Sequence, residues 1–290
     1  MFTRREWHRL VLGGVGAVML ASAGRAAPTI DSTIRGVEVG VQSYSFRDLE
    51  LHQAIDAMVG IGIGSCELWQ GHVEPRGGSR EELREWRLMA PLGAFRTLKD
   101  MFDRAGVRIS AYNISFRDDF TDAEIDRGFE MARALGTALI TASSTLSVVP
   151  RVARHARTHG MPVAFHNHSN MGSNQFARPT DYDKAIAMAD GAPIAINLDI
   201  GHFAAANFDA VAFLRTNHAR VRSLHLKDRR RDDGPNVPWG EGDAPIGPVL
   251  RMLRDERWAI PANIEYEYDG EDTVKEVARC FDYCKAALEA

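Results

Sequence analysis

The chain alternates short apolar runs with longer amphipathic segments. Eight runs have the length of buried parallel strands: GVEVGVQSY, SCELW, VRISAYNIS, TALITASS, PVAFHNH, IAINLDIGH, VRSLHLKD and PANIEYEY. The segments between them repeat apolar residues with a helical period, and several end in glycine, a common residue at helix C-termini. A repeat of roughly 30 residues is typical of a strand–helix unit. Eight such units predict an α/β fold, a (β/α)8 TIM barrel.

A doubly wound parallel sheet is the main alternative fold. That fold usually carries a glycine-rich phosphate turn, and no G-x-G-x-x-G follows the first predicted strand here. Two stretches exceed ordinary loop length, 71–95 and 229–244, and the first contains a short helix predicted over SREELREWRLM. In a barrel both stretches follow a strand and lie on the catalytic face. Since no linker divides residues 28–290, we expect a single barrel domain.

Residues 1–27 have the pattern of an export signal. Arg4 and Arg5 precede a run of about a dozen mostly apolar residues and then small residues, which resembles a twin-arginine signal. The apolar run is too short and too rich in glycine to span a membrane comfortably. We therefore expect cleavage after Ala23 or Ala26, no stable membrane anchor after cleavage, and a periplasmic or secreted protein.

Charge and cysteine content narrow the range of partners. The chain has a net charge of −4, and the arginine-rich leader makes the remainder more acidic still. An acidic body argues against nucleic acid as a partner, and we interpret the one basic run, KDRRRDD at 227–233, as a solvated loop. Three cysteines are too few for a disulfide framework, and Cys280 and Cys284 are predicted to pack on a helix. Homo-oligomerisation is left open.

Polar residues gather at the C-terminal ends of the predicted strands, where barrel enzymes build their sites. They are Glu67, His166, His168, Asp199, His202, His225, Lys227, Glu265 and Glu267. One residue from each of the last four strands, His166, Asp199, His225 and Glu265, is predicted to bind a single divalent metal ion. Mixed imidazole and carboxylate ligands suit Mn²⁺, Zn²⁺, Co²⁺ or Fe²⁺ better than Ca²⁺ or Mg²⁺. A salt bridge is the alternative role for Asp199, because an unpaired buried carboxylate is costly.

Several neighbouring residues have both a functional and a structural interpretation. Glu67 and Trp69 share one face of their strand, an arrangement of carboxylate and aromatic ring that suits sugar binding. His202 contacts substrate, caps a helix or supports Asp199. Lys227 either reaches substrate or pairs with Glu267 or Asp228. Trp239 forms an apolar wall for substrate or has only a structural role in its loop.

The stretches CELWQGH, AFHNHSN, NLDIGH, LHLKD, WGEGDAPIG and IEYEY resemble, in order, those of the xylose isomerase-like barrel superfamily. This superfamily includes sugar phosphate isomerases/epimerases and AP endonucleases of the endonuclease IV type. The resemblance implies one divalent metal ion, with Mn²⁺ favoured, on His166, Asp199, His225 and Glu265. AP endonuclease activity is not expected, because that cluster needs further His and Asp ligands, which AYNISF and the seventh strand do not offer.

One ligand position departs from the epimerases that the chain resembles. Those enzymes place glutamates on strands five and eight and shuttle a proton between them, whereas this chain has His166 on strand five. A metal-bound imidazole has no free lone pair and cannot replace a carboxylate as the second base. The FHNH subgroup looks more like proteins that act on inososes or oxidised sugars, where proton removal next to a ketone leads to elimination or hydration.

The function expected first is therefore a metal-dependent sugar isomerase or epimerase that abstracts a proton next to a carbonyl. Glu265 or Glu67 would move the proton, and His168 and Lys227 would donate to substrate oxygens. His202, Trp69, His72 and Trp239 are the predicted substrate contacts. A lyase or hydratase on keto-sugars or 3-keto-glycosides is the second hypothesis, and a non-catalytic sugar-binding protein is the third. Export favours a substrate without a phosphate group.

Overall fold

Residues 29–290 are described by a computed structural model, and the predicted export signal at residues 1–27 lies outside them. The strands are β1 (Thr33–Ile34), β2 (Val37–Gln42), β3 (Ser65–Trp69), β4 (Arg108–Asn113), β5 (Ile140–Ala142), β6 (Val163–His166), β7 (Ile194–Asp199), β8 (Val221–Leu226) and β9 (Ala262–Ile264). Strands β2 to β9 are parallel neighbours in chain order, and β9 also pairs with β2. The predicted eight-stranded barrel is therefore confirmed.

The short strand β1 was not predicted from the sequence. It pairs antiparallel with β2 through a tight turn at Arg35 and Gly36. Both turn residues have positive φ, at 51° and 85°, as a two-residue hairpin turn requires. A strand of two residues is too short for hydrophobic alternation to reveal it.

Helices cover the outside of the barrel. They are α1 (Leu51–Ile61), α2 (Arg80–Met89), α3 (Leu92–Ala105), α4 (Asp122–Ala134), α5 (Val149–His159), α6 (Pro179–Met188), α7 (Ile200–Ala205), α8 (Ala210–Asn217), α9 (Ile246–Glu256) and α10 (Thr273–Glu289). Helix α2 is the short helix predicted within 71–95, and its capping box joins Ser79 to Glu82. None of the helices in the described part of the chain has the length and hydropathy of a membrane-crossing segment.

Strands β2 to β9 are buried at nearly all of their positions, which explains why they appear in the sequence as nearly continuous apolar runs. Strand β6 is buried at all four of its positions, and its Phe165 packs against Phe176 with ring centroids 5.0 Å apart. Cys66, Cys280 and Cys284 are buried free thiols, so the predicted packing role of the last two is confirmed. A polar layer interrupts the interior at one level, directly beneath the candidate site.

Candidate metal centre at the barrel mouth

The last four strands bring His166, Asp199, His225 and Glu265 together, and we call these residues the mouth cluster. His166 and Asp199 end β6 and β7, and Asp199 pairs in register with His225 of β8. Glu265 directly follows β9. All four residues are buried, and one ligand atom from each lies within 4.8 Å of the others. The convergence expected from sequence is what the structure shows.

The distances within the mouth cluster leave room for a shared cation. His166 Nε2 lies 3.3 Å from Asp199 Oδ2 and 3.9 Å from Glu265 Oε2. His225 Nδ1 lies 3.2 Å from Glu265 Oε2. Ligand atoms about 2.1 Å from one ion in tetrahedral geometry are about 3.4 Å from each other. The observed separations are therefore near those of a common coordination sphere.

Two atoms of the mouth cluster lack a hydrogen-bond partner. His166 Nε2 and Asp199 Oδ2 are buried, and neither forms a hydrogen bond within residues 29–290. Buried polar atoms are rarely left unpaired unless they serve an ion, a ligand or an ordered water. Two imidazoles with two carboxylates form a donor set suited to Mn²⁺, Fe²⁺, Co²⁺ or Zn²⁺. The residues present therefore fit a divalent transition-metal ion.

Glu67 lies beneath the mouth cluster, and the structure corrects its expected role as a group that moves a substrate proton. Its fully buried carboxylate contacts His225 Nε2 at 2.8 Å. It also accepts hydrogen bonds from Thr141 at 2.8 Å, Ser223 at 3.1 Å and Asn263 at 3.3 Å. These contacts make up the polar layer inside the barrel. Glu67 therefore has no open side toward a substrate.

The contact between Glu67 and His225 determines which ring nitrogen of His225 faces the mouth cluster. A histidine that ligates a metal through one ring nitrogen commonly donates its other N–H to a carboxylate. Here Nε2 faces Glu67 and Nδ1 faces Glu265. Burial lowers the pKa of His225, but the carboxylates of Glu67 and Glu265 outweigh it and raise that pKa well above its ordinary value. Glu67 thus acts as a positioning residue for His225.

Lys227 lies at the edge of the mouth cluster and is almost completely buried. Its Nζ is 2.8 Å from Glu265 Oε2, 3.1 Å from Asp199 Oδ2 and 2.5 Å from Glu267 Oε2. Burial lowers the pKa of Lys227, but these three carboxylates outweigh it and raise the pKa above its usual value. The expected pairing with Glu267 is present, and the ammonium also reaches two mouth-cluster carboxylates.

His168 lies beside the mouth cluster, as expected from its spacing after His166. The two rings have centroids 4.9 Å apart, so both imidazoles are on the same side of the strand. Burial, with help from His166 and Lys227, lowers the pKa of His168 to about 3. The ring is therefore neutral near pH 7 and offers one N–H donor and one acceptor.

His202 lies in helix α7, whose first residues were predicted from sequence to be the last residues of strand IAINLDIGH. The Asp199 side chain accepts a hydrogen bond from the His202 backbone N–H at 2.6 Å and so caps this short helix. The His202 ring lies between two cations, with Nε2 at 3.1 Å from Lys227 Nζ and Nδ1 at 2.7 Å from Arg229 Nη1. The support that His202 gives to Asp199 therefore comes through the backbone.

Two neighbours of the site, Arg229 and Asn167, were missed from sequence, and a third, Asp228, was considered only as a partner for Lys227. Arg229 is buried and reaches His202, so the first arginine of 227–233 is not part of a solvated loop. Asn167 bonds the Asp199 N–H at 2.9 Å and its C=O at 3.0 Å, which holds that carboxylate in place. Asp228 accepts from the Gly240 and Gly242 amides at 2.8 and 3.0 Å. Their position beside predicted site residues was the only available signal.

The three remaining predicted substrate contacts lie in different surroundings. His72 is fully buried, with its ring 3.0 Å from Ser43 Oγ and 3.2 Å from the Phe46 carbonyl oxygen, so it is structural and the expectation was wrong. Trp69 is partly exposed and packs edge-on against Tyr44. Trp239 packs edge-on against Tyr283 in a separate cleft of about 450 Å³, where its contacts are those of a loop anchor.

A family comparison agrees with the barrel and its site. The family described as xylose isomerase-like TIM barrel matches residues 55–284. The chain belongs to this family. Among solved structures, a 3-keto-D-glucoside 4-epimerase from E. coli superposes with a TM-score of 0.66 at 13% identity, covering 86% of this chain and 99% of that one. At that identity the likeness shows the fold.

Inosose dehydratases are among the curated proteins that this chain resembles. The protein from Clostridium beijerinckii is 24% identical over 155 residues, which cover 47% of this chain and 49% of that protein. The protein from Mesomycoplasma hyopneumoniae is 28% identical over 82 residues, covering 28% and 26% of the two chains. The chain thus matches half or less of the length of these relatives. Family members include isomerases, epimerases and dehydratases.

Proposed function

We propose that this protein is a divalent-metal-dependent enzyme that removes the proton next to the ketone of a keto-sugar or keto-polyol and then eliminates water. The observation that carries the proposal is the buried mouth cluster, in which His166 Nε2 and Asp199 Oδ2 have no hydrogen-bond partner within the described residues. The similarity to inosose dehydratases supports the choice of substrate class.

The mouth cluster would hold the metal ion, with Mn²⁺ as our first choice and Zn²⁺, Co²⁺ or Fe²⁺ as alternatives. A bound divalent cation supplies Lewis acidity, which polarises the ketone and makes the neighbouring C–H more acidic. Glu67 and Asn167 keep His225 and Asp199 in position for it. His168, His202 and Trp69 are the groups at the mouth that we propose to orient substrate hydroxyls.

Glu265 and Lys227 form the acid–base pair of the proposed reaction. The contacts of Glu265 with His166, His225 and Lys227 all use Oε2, which leaves Oε1 to accept the proton from carbon. The Lys227 ammonium then gives a proton to the departing hydroxyl as the C–O bond breaks and the C=C bond forms. Because Lys227 Nζ lies 2.8 Å from Glu265 Oε2, the abstracted proton can return to the amine, and the balanced products are an enone and water.

Elimination is favoured over epimerisation by the donor at the end of β6. An epimerase that returns the proton to the opposite face needs a second base there, and His166 occupies that place with Nε2 turned toward Asp199. Epimerisation is the second candidate because Glu267, a further carboxylate at the mouth, contacts Lys227. We also propose export to the periplasm, where the substrate would carry no phosphate.

Proton NMR in D₂O tests the reaction. Mn²⁺-loaded protein, incubated with an inosose or a 3-keto-glucoside, should exchange one C–H for deuterium and give an alkene proton signal that EDTA treatment abolishes. Glu265→Gln should stop the exchange, whereas the matched change Glu271→Gln, at an exposed loop position, should leave it intact. Exchange without an alkene signal would replace dehydration by epimerisation. Binding of a keto-sugar without exchange would favour the non-catalytic alternative.

A further inference from the structure

A second group of metal-ligating side chains lies on the outside of the barrel, away from the mouth cluster. It consists of Asp126 on α4 and His155 and His159 on α5, and we call it the outer cluster. His155 and His159 are four residues apart, which places them on one face of their helix. Asp126 Oδ1 lies 2.8 Å from His159 Nε2 and 3.3 Å from His155 Nδ1.

Both imidazoles of the outer cluster are held in place by packing. The Phe129 ring stacks on His159 at 4.9 Å and an interplanar angle of 10°, and on His155 at 6.4 Å and 24°. The side chains of His155 and His159 are only 17% and 14% exposed, whereas that of Asp126 is 46% exposed. The ring nitrogens are thus preoriented toward Asp126, and the carboxylate side is open to water.

These dimensions match a transition-metal site with open positions. Ligand atoms of a tetrahedral zinc ion lie about 3.4 Å apart, and the outer cluster offers its three within 4.8 Å of one another. Two imidazoles and one carboxylate form a set that binds Zn²⁺ and similar ions with water in the remaining position.

The nearby cations have partners of their own. Arg151 and Arg154 both pair with Asp122, one helical turn before Asp126. Arg133 donates to the backbone carbonyl of His159. These three arginines therefore have hydrogen-bond or ion-pair partners other than Asp126.

We propose that Asp126, His155 and His159 bind a second divalent transition-metal ion, of the Zn²⁺ class, which links α4 to α5. Such an ion ties together two neighbouring helices of the outer layer without taking part in the reaction. A hydrogen-bonded ion pair between the same three residues is the alternative, and it predicts no specific metal uptake.

Zn²⁺ titration of EDTA-treated protein against a chromophoric chelator tests this proposal. Asp126→Asn and His159→Gln should each remove one equivalent of bound Zn²⁺ or weaken its binding at least tenfold. Glu130→Gln is the matched control, because it removes a carboxylate of the same helix that pairs with Arg127, and it should leave the stoichiometry unchanged. Equal Zn²⁺ uptake by wild type and both outer-cluster variants would overturn the proposal.

The same titration in an Asp199→Asn background separates the two sites. Loss of the mouth cluster should remove one equivalent and leave the outer-cluster equivalent in place, together with a Zn²⁺-dependent rise in Tm. This remaining uptake is expected whether or not the proposed enzymatic function is correct. With Co²⁺ as the probe, a visible absorption band that disappears in His159→Gln assigns the imidazole as ligand, and an unchanged band contradicts the proposal.

Discussion

Two buried groups of charged side chains in this molecule differ in how completely they are paired. On the outer layer, Glu124 is fully buried, yet its carboxylate accepts from Arg80 at 2.9 Å and from Arg84 and Arg87 at 3.3 Å. Thr121 adds its backbone N–H at 2.8 Å, and Arg87 also pairs with Glu74 at 2.7 Å. We call these residues the arginine network.

The mouth cluster is buried to a similar extent, but fewer of its polar atoms have hydrogen-bond partners. Asp199 Oδ2 and His166 Nε2 have no hydrogen-bond partner in the described part of the chain, although they lie 3.3 Å apart. Burial of charge is costly in both regions. The mouth cluster is paired in part, because Lys227 reaches Asp199 and Glu265, but His166 Nε2 keeps no hydrogen-bond partner among the described residues. In the arginine network both carboxylate oxygens of Glu124 are hydrogen-bonded. A network closed by the protein stabilises the fold, and one left open at its centre is prepared for a ligand.

The largest effect is expected from Asp199→Asn. The substitution removes one ligand charge but keeps a side chain that can cap α7. Metal affinity should fall strongly, and kcat/KM on a keto-sugar should fall about 10³-fold, since Lewis acidity contributes several kcal/mol to such reactions. Metal titration and steady-state kinetics measure both quantities. Undiminished metal binding by a folded variant would show that the mouth cluster is structural like the arginine network.

Glu124→Gln should produce the largest loss of stability. It leaves three guanidinium groups without their shared carboxylate, although Arg87 keeps Glu74. We expect unfolding free energy to fall by about 2–3 kcal/mol, below the usual range for a broken buried pair. Urea denaturation measures the change. Glu81→Gln is the control, because Glu81 pairs with Arg84 at an exposed site, and an equal loss there would contradict the network's special role.

Glu67→Gln should weaken metal binding by about 10–100-fold, the usual effect of losing a carboxylate behind a ligating histidine. The reason is that a neutral amide no longer supports the charge and orientation of His225. Mn²⁺ affinity and the Mn²⁺ EPR spectrum should both change. His72→Gln, at a buried histidine without contact to the cluster, is expected to leave both unchanged. Unaltered affinity in Glu67→Gln would mean that Glu67 only fills the barrel interior.

The smallest effect is the acid dependence of the arginine network. Burial raises the pKa of Glu124, but hydrogen bonds from Thr121 and Arg80 outweigh it and lower the pKa from 4.5 to about 2. A lowered folded-state pKa stabilises the protein above the unfolded value and loses that effect as pH falls. The stability difference between wild type and Glu124→Gln should stay constant from pH 7 to 5 and shrink from 4.5 toward 2. A constant difference down to pH 2 would contradict this assignment.

The sequence predicted the barrel and the mouth cluster because both follow from local pattern and topology. Eight apolar runs fix eight strands, and parallel strands bring their C-terminal ends to one rim. Residues at those ends, His166, Asp199, His225 and Glu265, must therefore approach each other. Helix α7 was not predicted, because its sequence IGHFAA continues the apolar run of β7. The end of the strand is marked only by Asp199, whose side chain caps the helix.

The roles of individual side chains were harder to predict from the sequence. Glu67 and Trp69 are two residues apart and so point to the same face of their strand. That spacing does not say how deep each side chain lies along the barrel axis. His72 and Arg229 were misassigned for the same reason, since a polar residue in a loop after a strand points either to the site or back into the packing. Depth and direction depend on neighbours that are far away in the chain, such as Thr141 and Asn263 around Glu67.

The sequence alone determined the fold and which residue types meet at the rim, because hydrophobic periodicity and strand direction are local properties that topology converts into positions. The tertiary structure alone decided which of those groups are paired and which are left open. A hydrogen bond requires two atoms within about 3 Å, and such distances between residues as remote as Glu67 and His225 arise only when the barrel closes.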